Sequence, residues 1–317
     1  MYELLKIFEF GNRSLLMGKN LAIATIYNVE GSSYRKKWTQ MMIAADLSYA
    51  GHLSGGCVEK EIIRHAESCF RYQENASFDY DGSFRLGCEG IISIQIELID
   101  RNTFIQIYNH IKNAESKRWS ISQGMTVTPN GISSSYHTVD GHAVAVSSPS
   151  DDSIDYHTVK PQNQLVVIGS EFDSNILCRN AHLLGYKVVQ IVSSHTTKEA
   201  IADSDWHKLA CDPDKMNDHI QFDTQTAVIL MTHSYHRDLQ YILPLIHYDL
   251  AYLGTLGPTK RKLKLVNYLT ESNIESSDVI LDRIAKINGP VGLDIPSCTP
   301  EEISISILAE LIVAFSS

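Results

Sequence analysis

The spacing of apolar residues changes character part-way along the chain. From Leu21 to Ile26 a short apolar run reads as a buried strand. The Gly- and Ser-containing stretch NVEGSSYRKKWTQ after it reads as a loop, and MMIAAD with YAGHLS as a hairpin. Across Val58 to Arg71 the apolar positions Val58, Ile62, Ala66 and then Cys69 or Phe70 recur every three or four residues. Glu59, Lys60, Arg64 and Glu67 lie between them, the signature of a helix that buries one face. In IISIQIELI the period drops to two, with Ile92, Ile94, Ile96 and Leu98 alternating with Ser93, Gln95 and Glu97, which predicts a half-buried strand. The first half is therefore α+β. Residues 118 to 162 are rich in Ser, Thr, His, Gly and Asp and predict two or three weak strands, then a linker ending near Pro161.

Beyond Pro161 strands and helices alternate. QLVVIG is a strand, followed by a helix to Leu184, the stop at Gly185, the strand YKVVQIV, the strand TAVILM, a helix over YHRDLQYILPLI and the strand LAYLG. Such alternation predicts a parallel sheet covered by helices on both faces. The fold class is α/β: an N-terminal α+β domain with a β-rich connecting segment (1–160), then a Rossmann-like doubly wound parallel-sheet domain (161–317). In CTPEEISISILAELIVAF, Thr299 is the expected N-cap, Pro300 the first helical residue and Glu302 the reciprocal member of a capping box; Ile303, Ile307 and Leu311 form the apolar stripe.

A chain of 317 residues suits two domains, and no apolar stretch approaches the about 18 residues a membrane span needs. The first twenty residues lack an apolar signal core, so the expected location is the cytoplasm. A net charge of −10 argues against a nucleic-acid surface. The six cysteines (57, 69, 88, 178, 211 and 298) show no CxxC spacing, which leaves free thiols rather than a zinc site or a disulfide framework.

Two of those cysteines are flanked by glycine. In LSGGCVEKEI, Ser54, Gly55 and Gly56 precede Cys57 at the start of the predicted helix, where the helix end carries about half a positive charge and favours a thiolate. A thiolate is a soft metal ligand. The competing reading is a small apolar residue ending a strand. In RLGCEG, Cys88 lies just before a strand, and the two thiols would converge on one ligand. Arg35 to Lys37 and Lys260 to Lys262 read as solvated basic runs; the second, after GTLGPT at a strand-to-helix turn, also fits an anion site. Ligands of a doubly wound sheet sit beyond the carboxyl ends of its strands. Gly169, Thr232-His233, Gly254 to Gly257 and the GLDI loop collect there, with His233 a donor and Asp294 its expected partner. His233 and His236 form an HxxH pair with no evident third ligand. Where a dinucleotide fingerprint would read GxGxxG, the chain has GSEFDS: Glu171 adds bulk and negative charge, and the second strand runs into Ser193-Ser194 rather than an acid. Both features disfavour NAD(P).

The stretches EGSSYRKKWTQMMIAADLSYAGHLSGGCVEKEIIRHA, RLGCEG, VILMTHSYHRD, AYLGTLGPTKRK and GPVGLDIPSCTPEEISISILAEL run in order across nearly the whole chain. Together they resemble the xanthine dehydrogenase accessory protein (XdhC/CoxI) family. The resemblance implies a cytoplasmic, dimeric factor that binds molybdenum cofactor (molybdopterin), protects it and helps insert its sulfurated form into a xanthine dehydrogenase-like molybdenum hydroxylase, with a cysteine desulfurase as a further partner. Cys57 and Cys88 would face the metal or its dithiolene, with the cofactor at a cleft between the domains. Gly169, His233, Gly254, Gly257, Lys260 and Asp294 would serve the rest of an anionic ligand. Glu89 stands where the family has a glycine, and Gly169-Ser170-Glu171-Phe172 where it typically reads GAGH. Such a protein is a carrier rather than a turnover enzyme. An NAD(P)-dependent oxidoreductase and a ligand-free interaction scaffold are the alternatives.

Overall fold

The computed structural model describes residues 1–82, 90–128, 131–138, 143–145, 154–192, 205–271 and 277–316. Contacts divide the chain into two compact units, Met1–Pro161 and Gln162–Ser317.

In the first unit a five-stranded antiparallel sheet is built from β1 (Leu21–Gly31), β2 (Gln40–Ala44), β3 (Tyr49–Ala50), β4 (Ala76–Asp81) and β5 (Gly90–Ile99), in the order β3-β2-β1-β5-β4. One face, with Ala24, Ile43, Ile92, Ile94 and Ile96, packs on helix α2 (Cys57–Tyr72) through Val58, Ile62, Ala66 and Cys69. These are the helical positions that the period marks. The other face, with Ile23, Met42 and Ile99, packs on α1 (Tyr2–Leu16) and α3 (Arg101–Ser116) through Phe8, Phe104, Ile107 and Ile111.

The sheet is thus covered on both sides, and β5 differs from its expectation. Ser93, Gln95 and Glu97 are buried along with the isoleucines. A carboxylate is tolerated there because Glu97 accepts from the Ser134 amide (3.1 Å) and from the Ser134 hydroxyl. Ser134 belongs to a second antiparallel sheet of β6 (Ile121–Thr128), β7 (Gly131–Thr138), β8 (Ala143–Ala145) and β9 (Ile154–Val159), ordered β8-β7-β6-β9. It has one strand more than the upper expectation for this segment. Gln40 ties the sheets together: it donates to the Thr25 hydroxyl (3.1 Å) and accepts from Gln123 (2.8 Å) and the Tyr136 hydroxyl (3.0 Å). Burial pushes the Tyr136 phenol well above its usual range.

The second unit holds a parallel sheet of β10 (Gln164–Ile168), β11 (Lys187–Val192), β12 (His207–Ala210), β13 (Thr226–Leu230) and β14 (Tyr252–Thr255), in the order β12-β11-β10-β13-β14. β10 and β13 are buried along their whole length, as continuous apolar runs require. Leu165, Val167 and Ile229 meet α4 (Phe172–Leu183) and α8 (Pro300–Ser316) on one face. Val166, Ile168 and Leu230 meet α5 (Tyr235–Leu245), α6 (Thr259–Glu271) and α7 (Asp278–Ala285) on the other. The doubly wound arrangement is present. The chain reverses direction across the sheet between β10 and β13, which puts a topological switch point at their carboxyl ends.

Helix α8 begins as its sequence predicts: Glu302 N–H donates to Thr299 Oγ1 (3.2 Å), and Glu302 Oε2 accepts from the amides of Thr299 (3.0 Å) and Cys298 (2.8 Å). Among the described residues no helix is long and apolar enough to cross a membrane.

Candidate functional site

The loop before α2 is held from inside by a residue that its position in the helical repeat hides. Glu59 is only 2% exposed. Its Oε1 accepts from the amides of Leu53 (2.9 Å) and Ser54 (2.7 Å), and its Oε2 from the Gly56 amide (2.8 Å) and the Ser54 hydroxyl (2.7 Å). Ser54 Oγ in turn accepts from the Val58 amide (3.3 Å). Burial alone would raise the Glu59 carboxyl; these hydrogen bonds outweigh it and hold the group below the usual carboxylate range. Gly56, at φ +117°, is the N-cap, in a backbone conformation that side chains resist.

This scaffold leaves the Cys57 side chain exposed at the first position of the helix. The amides of Gly55 and Cys57 find no acceptor among the described residues, so an exposed thiol and two free N–H donors share one turn. Cys88 lies outside the described residues. Gly90, two residues later, lines a cavity with Ser54 and Gly55, and a Cβ on it would meet the Ser32 carbonyl oxygen at 2.1 Å. The glycine there serves a close backbone approach. Arg35 is tied down by the His52 carbonyl (3.0 Å) and by Glu3 (3.0 Å), which removes it from the pool of free cations.

In the second unit Gly169, Thr232-His233 and Leu256-Gly257 follow the carboxyl ends of the adjacent strands β10, β13 and β14. A Cβ at Gly169 would meet the Met231 carbonyl oxygen at 2.4 Å. The Gly169 carbonyl accepts from buried Gln190 (2.9 Å), which also donates to Asn175 (3.0 Å) and accepts from the Trp206 indole (2.9 Å). The Gly169 carbonyl is therefore satisfied internally. Glu171 is the N-cap of α4 and Asp173 lies in its first turn, so the chain's own carboxylates occupy the helix end that would attract a phosphate.

His233 does not pair with Asp294. Its Nε2 lies 3.0 Å from Asp173 Oδ2, and its backbone sits in the left-handed region at φ +55°. Asp294 is exposed and has no partner among the described residues. The GLDI loop is instead anchored by Ser306, which donates to the Leu293 carbonyl (2.7 Å), and by Glu310, which accepts from the Gly292 amide and the Tyr252 hydroxyl (2.6 Å each). Gly254 lies inside β14, where a Cβ would meet Val291 at 2.4 Å and Tyr252 at 2.7 Å, a packing position. Lys260 is exposed in the first turn of α6. The run that contains it is not uniformly solvated: Arg261 turns inward to pair with fully buried Asp238, which also accepts from Thr232 (2.5 Å) and Thr255 (3.4 Å). Among the described residues no three His, Cys, Asp or Glu side chains gather to hold a metal ion.

Comparison with known proteins separates the two units. The description "XdhC Rossmann domain" matches residues 165–311 and "XdhC and CoxI family" matches residues 15–81, together about two-thirds of the chain. The chain belongs to the XdhC/CoxI family. The Cys57 loop lies within the XdhC and CoxI match, and the position of Cys88 falls between the two matches. A protein of Bacillus subtilis (strain 168) described as a probable xanthine dehydrogenase subunit is 26% identical over 92% of this chain and 92% of its own length. A "Molybdenum cofactor insertion chaperone PaoD" of Escherichia coli (strain K12) is 22% identical over 96% of this chain and 86% of its own length. The fold is shared with a crystal structure described as a xanthine dehydrogenase from Bacillus halodurans: TM-score 0.80, 24% identity, 98% of this chain and 95% of that one. The sequence singles out the Cys57 loop, which lies within the XdhC and CoxI match, and gives no direct sign of the roles of Glu59, Asp173 and Asp238. The Ser54–Glu59 spacing and the glycine N-cap are the signals that point to the first of these.

Proposed function

We propose that this chain binds molybdenum cofactor and assists its protection, sulfuration and insertion into a xanthine dehydrogenase-like molybdenum hydroxylase. The observation that carries the reading is the Cys57 loop: an exposed thiol at a helix start, two amides without acceptors, and a buried carboxylate that fixes the loop around them. A molybdenum–dithiolene centre is soft and anionic, and a thiolate with backbone donors suits both properties. Family membership and a relative named as a cofactor insertion chaperone support the same direction.

Cys57 and Cys88 serve the metal end. Within the second unit, considered by itself, an anionic group is better met by Lys260 and Gly257 than by the Gly169 turn, where Glu171 and Asp173 oppose it. When bound, the cofactor supplies all the redox chemistry; the chain's part is to bind, orient and shield it. This reading includes a homodimer in the cytoplasm and a cysteine desulfurase as sulfur donor.

Transfer tests it. Protein loaded with cofactor and mixed anaerobically with a cofactor-free xanthine dehydrogenase is expected to generate hydroxylase activity, and loaded Cys57→Ala much less. Equal activation by both would remove Cys57 from the account. Capture of the hydroxylase by a variant lacking both cysteines, with no cofactor transfer by the wild type, would favour a scaffold.

A further inference from the structure

One side of α6 departs from the charge of the rest of the molecule. The chain carries −10 overall, yet Lys260, Lys262 and Lys264 fall in the first two turns of α6, and the helix holds no carboxylate before Glu271 at its end. Lys260, Leu263, Lys264, Tyr268 and Glu271 lie three or four residues apart on one face, and with Tyr235 of α5 they line a shallow groove of about 510 Å³. Leu263 is 53% exposed and Tyr268 46%, an apolar pair set between the charges. Other surface cations are met by carboxylates: Lys19 by Asp46, Lys37 by Asp155 and Lys286 by Asp282. Among the described residues Lys260 and Lys264 have no such partner. The Lys264 ammonium lies instead 4.5 Å from the centre of the Tyr235 ring, and the Tyr235 hydroxyl donates to the Lys264 carbonyl (3.3 Å), so ring and cation are held together at the groove.

Exposed apolar side chains ringed by one sign of charge mark a contact surface, and the charge selects what it contacts. A long polyanion, whether nucleic acid or anionic membrane, extends well past two lysines onto a chain of net negative charge, which repels it. A short acidic segment does not, because salt screens charges more than about 8–10 Å away and leaves the local lysines to act. We propose that this face of α6 docks an acidic amphipathic segment of the hydroxylase that accepts the cofactor. Its carboxylates meet Lys260 and Lys264, an apolar side chain sits between Leu263 and Tyr268, and a cation meets Glu271, so the order of charges along α6 fixes the direction of docking. The identity of the partner rests on the carrier reading. Lys260 is where the groove and the Gly257 turn meet, so docking here sets the acceptor beside the part of this unit best suited to an anionic group.

The test is the association of wild type, Lys264→Glu and Leu263→Asp with a cofactor-free xanthine dehydrogenase, followed by biolayer interferometry at low and physiological ionic strength. Wild type is expected to bind saturably and more weakly as salt rises, and each variant about tenfold more weakly than wild type. Both side chains are exposed, so the thermal midpoint and the retention of molybdenum cofactor should stay as in the wild type. Absence of wild-type binding, equal binding by all three proteins, or a wild type that binds phosphatidylserine vesicles and ignores the hydroxylase would overturn the docking surface. The carrier reading is judged separately. Variants that keep cofactor and activate the hydroxylase as wild type does leave the carrier standing and remove this surface, whereas a wild type that docks through α6 but retains no cofactor removes the carrier alone.

Discussion

Cys57 owes its position to Glu59. Four donors converge on one buried carboxylate, and an unmade bond to such a group costs about 1–3 kcal/mol, so Glu59→Gln should destabilise the protein by that order in a denaturant melt. The pH dependence follows from the same contacts. Because the folded carboxyl titrates below its ordinary value of 4.5, its contribution is complete above that value and drains away as pH falls through the lower, folded one. Wild type should therefore lose stability in acid more steeply than Glu59→Gln; parallel acid profiles for the two proteins would contradict the clamp. The glycines and the cysteine were legible in the sequence as a flexible pair before a helix. Glu59 was not, because by helical period it falls among the polar residues that face water, and only the backward reach of the N3 side chain buries it.

At the level of elements, legibility tracked how far local pattern decides structure. Helix α8 was readable to its cap because Thr299, Pro300 and Glu302 act within one turn. Thr299→Ala should cost about 1 kcal/mol by thermal melting. Helix α3 carries comparable signals, an Asp100 cap and Phe104, Ile107, Ile111 and Ala114 at helical spacing, yet the pattern reading passed over it and over α1. Alternation predicts a half-buried β5 because it reports what the two faces differ in, not what later covers them. Its polar side is closed by α1, α3 and the second sheet, elements distant in sequence. The inward turn of Arg261 was likewise invisible, since its partner Asp238 lies on another helix. Arg261→Met strands that buried carboxylate and should lower stability by about 3–5 kcal/mol, whereas Lys260→Met, at an exposed site, should leave the denaturation midpoint nearly unchanged.

Across the whole molecule, the change from mixed to strictly alternating grammar after Pro161 announced a parallel sheet, and the five parallel strands follow it. The sheet retains a switch point, while the Gly169 carbonyl is bonded by Gln190 and the turn is edged by Glu171 and Asp173. Isothermal calorimetry with NADH is therefore expected to give no heat of binding at micromolar protein, and tight binding would restore the oxidoreductase alternative. The central claim, that the chain is a cofactor carrier with its metal end at Cys57, is met most directly by loading purified protein anaerobically with molybdenum cofactor, removing the excess, and measuring retained molybdenum and pterin for wild type and Cys57→Ala. Near-stoichiometric retention of both by the wild type, collapsing in the variant, is the expected result; a wild type that keeps neither, or a variant that keeps both, contradicts the claim.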